Sequence, residues 1–194
     1  MPFSQYMPCV FWIIQIYNSY STFLRENPLI KIVAYALYLS IILHVIYALI
    51  VTIKNRKAKP QKYAVNQWQE NSSWASQNMG LIGIFILLFI VVHLANFWAR
   101  IKLGMGEGVG IDAFGHEDVY DVTYSLFQNI YYVIFYSLLM IPLGFHLHHG
   151  LKSGFKTLGF YHKNGLKILS KIALFYALIV SILFAIIPFV VYFK

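Results

Sequence analysis

Three histidines of this chain lie in three separate apolar segments: His44 in LSIILHVIYALI, His93 in LLFIVVHLANFW and His146 in IPLGFHLHHG. An imidazole in a lipid-spanning helix is costly unless it has a partner, and its ring nitrogen is a strong ligand for haem iron. A single membrane histidine can simply hydrogen-bond a neighbouring helix. Three on different segments, with small residues nearby for close approach (Gly144, Gly150, Ala95, Ala48), point instead to the walls of a haem pocket.

Long apolar segments must position these histidines. The chain has 194 residues, 59% of them hydrophobic and only 11% charged, with a mean hydropathy of +0.64. A soluble domain carries about 25% charged residues, so most of this surface faces something other than water. Four runs reach the roughly 20 residues that span a bilayer: about 29–53, 78–101, 124–150 and 166–193. In lipid the backbone must satisfy its own polar groups, which predicts an all-α integral membrane bundle of four transmembrane helices. Pro28 suits the first turn of the first span, whereas Pro142 and Pro188 are expected to bend the third and fourth.

The net charge of +8 does not indicate nucleic acid, because the basic residues cluster in two loops. Lys54, Arg56, Lys57, Lys59 and Lys62 follow the first span; Lys152, Lys156, Lys163 and Lys167 join the third to the fourth. Glu107, Asp112, Glu117, Asp118 and Asp121 lie between the second and third. The positive-inside rule makes the basic loops cytoplasmic and places both termini outside. The N-terminus has no charged region of a secretory signal. The lone Cys9 excludes an intrachain disulfide and a multi-cysteine metal site. Residues 1–27 form a separate segment before the bundle of 28–194. Within it CVFWIIQIY is apolar but too short to cross, so it is expected either in the interface or as the stump of a longer helix.

Depth sorts the histidines. At about 1.5 Å per residue, His44 lies about 15 Å and His146 about 9 Å from the cytoplasmic ends of their spans, so a tilted porphyrin can bridge them. His93 lies about 10 Å from the outer side and belongs to another level. Two imidazoles on facing helices give six-coordinate iron that carries electrons rather than binding oxygen. His148 and His149 are read as helix-end residues, bonding terminal carbonyls or a propionate; His116 and His162 are read as solvated loop residues. Around the cytoplasmic boundary Trp74, Ser72, Ser73, Ser76, Lys152 and Lys156 can donate to haem propionates, although Trp74 can also be an ordinary interfacial anchor. HLHHG could bind zinc or copper in a haem-free transporter, but no acidic or thiol ligand accompanies it.

The chain resembles the cytochrome b membrane anchor of succinate dehydrogenase/fumarate reductase, of the di-haem, single-subunit type that works with menaquinone. The resemblance covers about residues 16–194 and is nearest the Bacteroidetes-like version. It rests on YSTFLRENPLI, His44 with TIKNRKAKPQKYAV, SSWASQNMGL before His93, GFHLHHGLKSGFKTLG and HKNG. It implies five transmembrane helices and two haems b in a bacterial inner membrane. His44 and His146 would hold the proximal haem. His93 would serve the distal one, with a partner on the first helix. It also implies flavoprotein and iron–sulfur partner subunits on the cytoplasmic side, for which the basic loops offer docking surfaces. Glu26 is then the nearest group for proton exchange at an outer quinone site, since none of the four spans contains a carboxylate. No first-helix histidine stands upstream of Asn18; a truncated gene product is expected, or else a protein that has lost a span. The competing reading is the cytochrome b subunit of another quinone-linked complex, such as a hydrogenase or formate dehydrogenase.

Overall fold

The computed structural model describes residues 8–58, 73–106, 108–159 and 163–194. Lys59, Lys62, Ser72, Glu107 and His162 lie outside them, so the readings made for those five residues have no structural counterpart. Among the described residues the regular structure is helical, apart from one isolated antiparallel bridge between Ile111 and Glu117. In order come α1 (Pro8–Glu26), α2 (Pro28–Lys57), α3 (Trp74–Gln77), α4 (Met79–His93), a π-helical segment Leu94–Ala99, α5 (Arg100–Leu103), α6 (Val119–Phe127), α7 (Ile130–Thr157) and α8 (Lys163–Tyr192). Four helices are long and apolar enough to cross a membrane: Pro28–Lys57, Met79–Leu103, Ile130–Thr157 and Asn164–Tyr192. The protein is an all-α, multi-pass membrane protein.

Capping explains where the spans begin and end. The Asn27 side chain accepts from the amides of Leu29 (3.0 Å) and Ile30 (3.3 Å), with Pro28 in the first turn of α2, where its missing N–H costs nothing. Lys54, Arg56 and Lys57 fill the last turn and favour the negative end of the helix dipole. The second span closes at Gly104, whose φ of 63° suits a residue without Cβ. The amide of Met105 then returns to the Ala99 carbonyl at 3.3 Å.

The third span departs from its predicted start. Tyr124–Phe127 belong to α6, and the spanning helix begins anew at Ile130. The Asn129 side chain accepts from the Tyr131 amide at 2.9 Å, and this cap ends one helix and starts the next. Pro142 and Pro188 both lie inside continuous helices.

The chain divides into two compact units, Met1–Pro60 with Leu94–Leu126, and Gln61–His93 with Phe127–Lys194. In the first, the apolar run Cys9–Tyr17 is part of the 19-residue helix α1. Asn18 is fully buried and ties α1 to the segment after α5. Its Nδ2 donates to Asp118 Oδ1 (3.0 Å) and to Asp112 Oδ2 (3.3 Å), and its Oδ1 accepts from the Tyr120 amide (2.9 Å). Asp112 Oδ1 in turn accepts from the amides of Phe114 and His116, both at 2.9 Å. Arg25 forms an ion pair with Glu117.

In the second unit α7 and α8 pack antiparallel through small residues. Ala173, Ala177, Ser181 and Ala185 recur every four residues along α8. Small side chains at that spacing let backbones approach in lipid, where hydrophobicity does not drive helix association. A Cβ on Gly144 would meet Ser181 Oγ at 2.9 Å, and Ser137 Oγ donates to the Ala185 carbonyl at 2.9 Å. α7 meets α4 through Tyr136, which with Val133, at 5% and 0% exposure, belongs to the core of the unit.

Candidate functional site: histidines on the apolar helices

His93 is the last residue of α4 before the π-helical segment. Such segments occur mostly as local insertions and are frequent at functional positions. The imidazole stacks on Phe89 one turn earlier, with centroids 5.5 Å apart and planes inclined by 25°. It also lies 6.2 Å from the ring of Tyr136 on α7. Tyr136 is the hub of this cluster, meeting Phe89 at 5.5 Å, Phe127 at 5.2 Å and Phe135 at 5.9 Å, all edge-to-face. That geometry is favourable for aromatic quadrupoles.

His146 lies ten residues beyond Tyr136 on the same helix, about 15 Å along its axis. The α4–α7 packing therefore sets His93 and His146 at different depths. The direction of His146 follows from Gly144, which touches α8. Two residues turn a helix by about 200°, so His146 leaves α7 on the side away from α8. His148 returns to the α8 side and lines a groove of about 350 Å³ with Gly144, Leu174, Leu178 and Ser181.

A macrocycle needs a ring edge and room. One face of the His93 imidazole stacks on Phe89, and the residue is exposed within the chain. A Cβ at Gly144 would meet Ser181 Oγ at 2.9 Å, so α7 and α8 approach closely at that level, and His146 leaves α7 on another side. In the second unit His93 and His146 are the two candidate haem ligands. His44 lies on α2 in the first unit and is likewise exposed.

Of the residues expected near propionates, Trp74 packs on Phe145, adjacent to His146, with ring centroids 5.5 Å apart. Ser73 caps α3, its Oγ accepting from the Ser76 amide at 3.3 Å. Lys152 lines a basic cleft of about 390 Å³ with Lys167, Ser170 and Lys171 of α8. Glu26 ends α1 in the first unit and is exposed. Tyr136 and Lys171 escaped sequence reading; the signals were a tyrosine amid phenylalanines and a lysine one turn after Lys167.

Outside the spans, His116 is not simply solvated. Its amide is bonded to Asp112, and its Nδ1 lies 3.6 Å from Asp112 Oδ2. Burial pushes the Asp112 carboxyl up. The amides of His116 and Phe114, the Asn18 side chain and the charge of His116 outweigh it, and the group titrates below the usual carboxylate range. Burial pushes the Tyr120 phenol up, with Tyr124 and Asp118 adding to the effect. Burial lowers Arg25, opposed by neighbouring Glu26.

Among the described residues no group of three or more His, Cys, Asp or Glu side chains converges as a metal site, so HLHHG is not part of such a cluster. A bis-imidazole haem requires only one histidine from each of two helices. In comparisons with known proteins, no family model, curated protein or solved structure matches the chain.

Proposed function

We propose that this chain is a haem b membrane-anchor subunit of the succinate dehydrogenase/fumarate reductase type. In this reading it passes electrons between flavoprotein and iron–sulfur subunits and menaquinone in a bacterial cytoplasmic membrane. The observation that carries the reading is the separation of His93 from His146 by about 15 Å of one packed helix pair, with His146 turned away from α8. Two imidazoles at two depths suit two electron-transfer centres stacked across a membrane. The sequence resemblance through GFHLHHGLKSGFKTLG supplies the type of complex.

In this reading His44 and His146 would hold the haem nearer the basic loops, and His93 would hold the outer one. Haem bound there would supply one-electron transfer. Trp74, packed on Phe145 next to His146 in sequence, would offer an indole N–H to a propionate, and the Ser73 hydroxyl could donate alongside it. The basic residues after α2 and α7 are the docking surface for the soluble subunits, whose electrons enter on that side. Glu26 serves proton exchange at the opposite, quinone side.

A reduced-minus-oxidised spectrum of the purified membrane protein tests the reading, with a b-type alpha band expected. Its absence from protein produced with ample haem would remove the proposal. Co-purification of a flavin-containing and an iron–sulfur subunit is expected for this complex. Co-purification of a hydrogenase or formate dehydrogenase subunit would favour the competing reading.

A further inference from the structure

The α7–α8 contact carries two hollows of opposite chemistry. The first, about 390 Å³, is lined by Lys152 at the end of α7 and by Leu166, Lys167, Ile168, Ser170 and Lys171 at the start of α8. The second, about 350 Å³, is lined almost wholly by apolar and small residues of the same two helices. Their linings are continuous in helical register. On α8 Lys167, Lys171, Leu174, Leu178 and Ile182 follow one another at spacings of three or four, which places them on one face. On α7 Ile141, Gly144, His148 and Lys152 do the same. Both stripes change from apolar to cationic toward the same end of the helix pair.

We propose that this face is a binding site for one anionic phospholipid. The phosphate headgroup sits among Lys152, Lys167, Lys171 and the Ser170 hydroxyl, and an acyl chain lies along the groove past Leu174, Leu178 and Ile182. No acidic residue lines the headgroup end, so three ammonium groups there repel one another until an anion joins them. Basic pockets between transmembrane helices hold lipid headgroups in this way. A free phosphate satisfies the lysines but leaves the groove empty, whereas a phospholipid fills both hollows. The site stands independently of any haem, and it gives Lys152 a role other than a propionate partner.

The test uses the full-length protein, delipidated in detergent and titrated with phosphatidylglycerol in mixed micelles, with bound lipid counted by native mass spectrometry. One tightly held lipid per chain is expected, with phosphatidylcholine binding more weakly and inorganic phosphate failing to compete. The K152Q/K167Q/K171Q variant should bind on the order of a hundredfold more weakly, as the loss of three headgroup-level cations implies. The corresponding Lys→Arg variant should retain binding and so serves as the folding control. Leu178→Trp should weaken binding by filling the groove without changing charge. A variant with the same loss of charge elsewhere, K54Q/R56Q/K57Q, should bind as the wild type does. Equal loss in that variant, full competition by inorganic phosphate, or unchanged binding in the lysine triple or in Leu178→Trp would each overturn the proposal.

Discussion

The imidazole of His93 lies 6.2 Å from the ring of Tyr136, inclined by 57°, and this contact fixes the level at which α4 meets α7. From Tyr136 to His146 is ten residues, so His93 and His146 stand about 15 Å apart along the helix axis. A single porphyrin would have to tilt steeply to touch both. The level of His93 is also where α4 passes into the π-helical segment, which shifts the facing of every later residue of that span relative to an uninterrupted α-helix.

Ligation by His146 rather than by its neighbour predicts a sharp contrast between variants. His146→Ala should abolish the haem nearer the basic loops, while His148→Ala, which alters a groove residue, should leave haem per chain nearly unchanged. On the proposed ligation, His93→Ala should retain the haem assigned to His44 and His146. Pyridine haemochrome per mole of purified protein reads all three. The assignment fails if His148→Ala loses the haem and His146→Ala keeps it.

The close approach of α7 to α8 predicts a rescue. In Gly144→Ala the new methyl meets Ser181 Oγ at 2.9 Å; relieving that overlap should cost at most about 1–3 kcal/mol, partly offset by alanine's gain of roughly 1 kcal/mol in helix propensity. Ser181→Ala removes the obstructing oxygen, so the double variant should recover most of the loss. Unfolding of the detergent-solubilised protein, followed by helical circular dichroism, gives the coupling. Strictly additive single effects would mean that the two side chains do not meet.

The spans and their number were legible because 20-residue apolar runs have few alternatives to a helix in lipid. The start of the third was not, since Tyr124–Phe127 continue the apolar pattern and only Gln128–Asn129 interrupt it. The cap made by Asn129 decides that boundary. Of the site, residue types and depths could be read from spacing within single helices. The ring contact of His93 with Tyr136 and the grouping of Lys152 with Lys171 could not, because they depend on how separate helices pack. Asn18 is the extreme case: an ordinary polar residue in sequence, it bonds groups about a hundred positions away.

That position of Asn18 predicts a strong effect outside the spans. Asn18→Ala removes the donor to Asp112 and Asp118 and the acceptor for the Tyr120 amide. Buried groups left unsatisfied cost about 1–3 kcal/mol each, so a loss of about 2–4 kcal/mol from the first unit is expected. Limited proteolysis should show faster cleavage within residues 104–118 than in the wild type. Unchanged cleavage would mean that the asparagine does not hold this segment.

The Asp112 carboxyl makes the same region acid-sensitive. Its side chain is 7% exposed; burial alone would raise its pKa, but the hydrogen bonds it accepts and the charge of His116 bring it below the ordinary value. A carboxyl whose folded pKa is depressed contributes stability that is fully present above its unfolded pKa. That contribution is lost as pH falls through the folded value. With an unfolded pKa of about 3.9, the loss belongs below about pH 4 and should be absent near neutrality. Asp112→Asn keeps the size of the side chain but removes the titration. At neutral pH it should cost about 1.5–3 kcal/mol for the lost charge-assisted bonds, and its stability should then change less between pH 4 and pH 2 than that of the wild type. Denaturant titrations of both proteins across that range separate the two effects. Parallel pH profiles would assign the acid sensitivity to other groups.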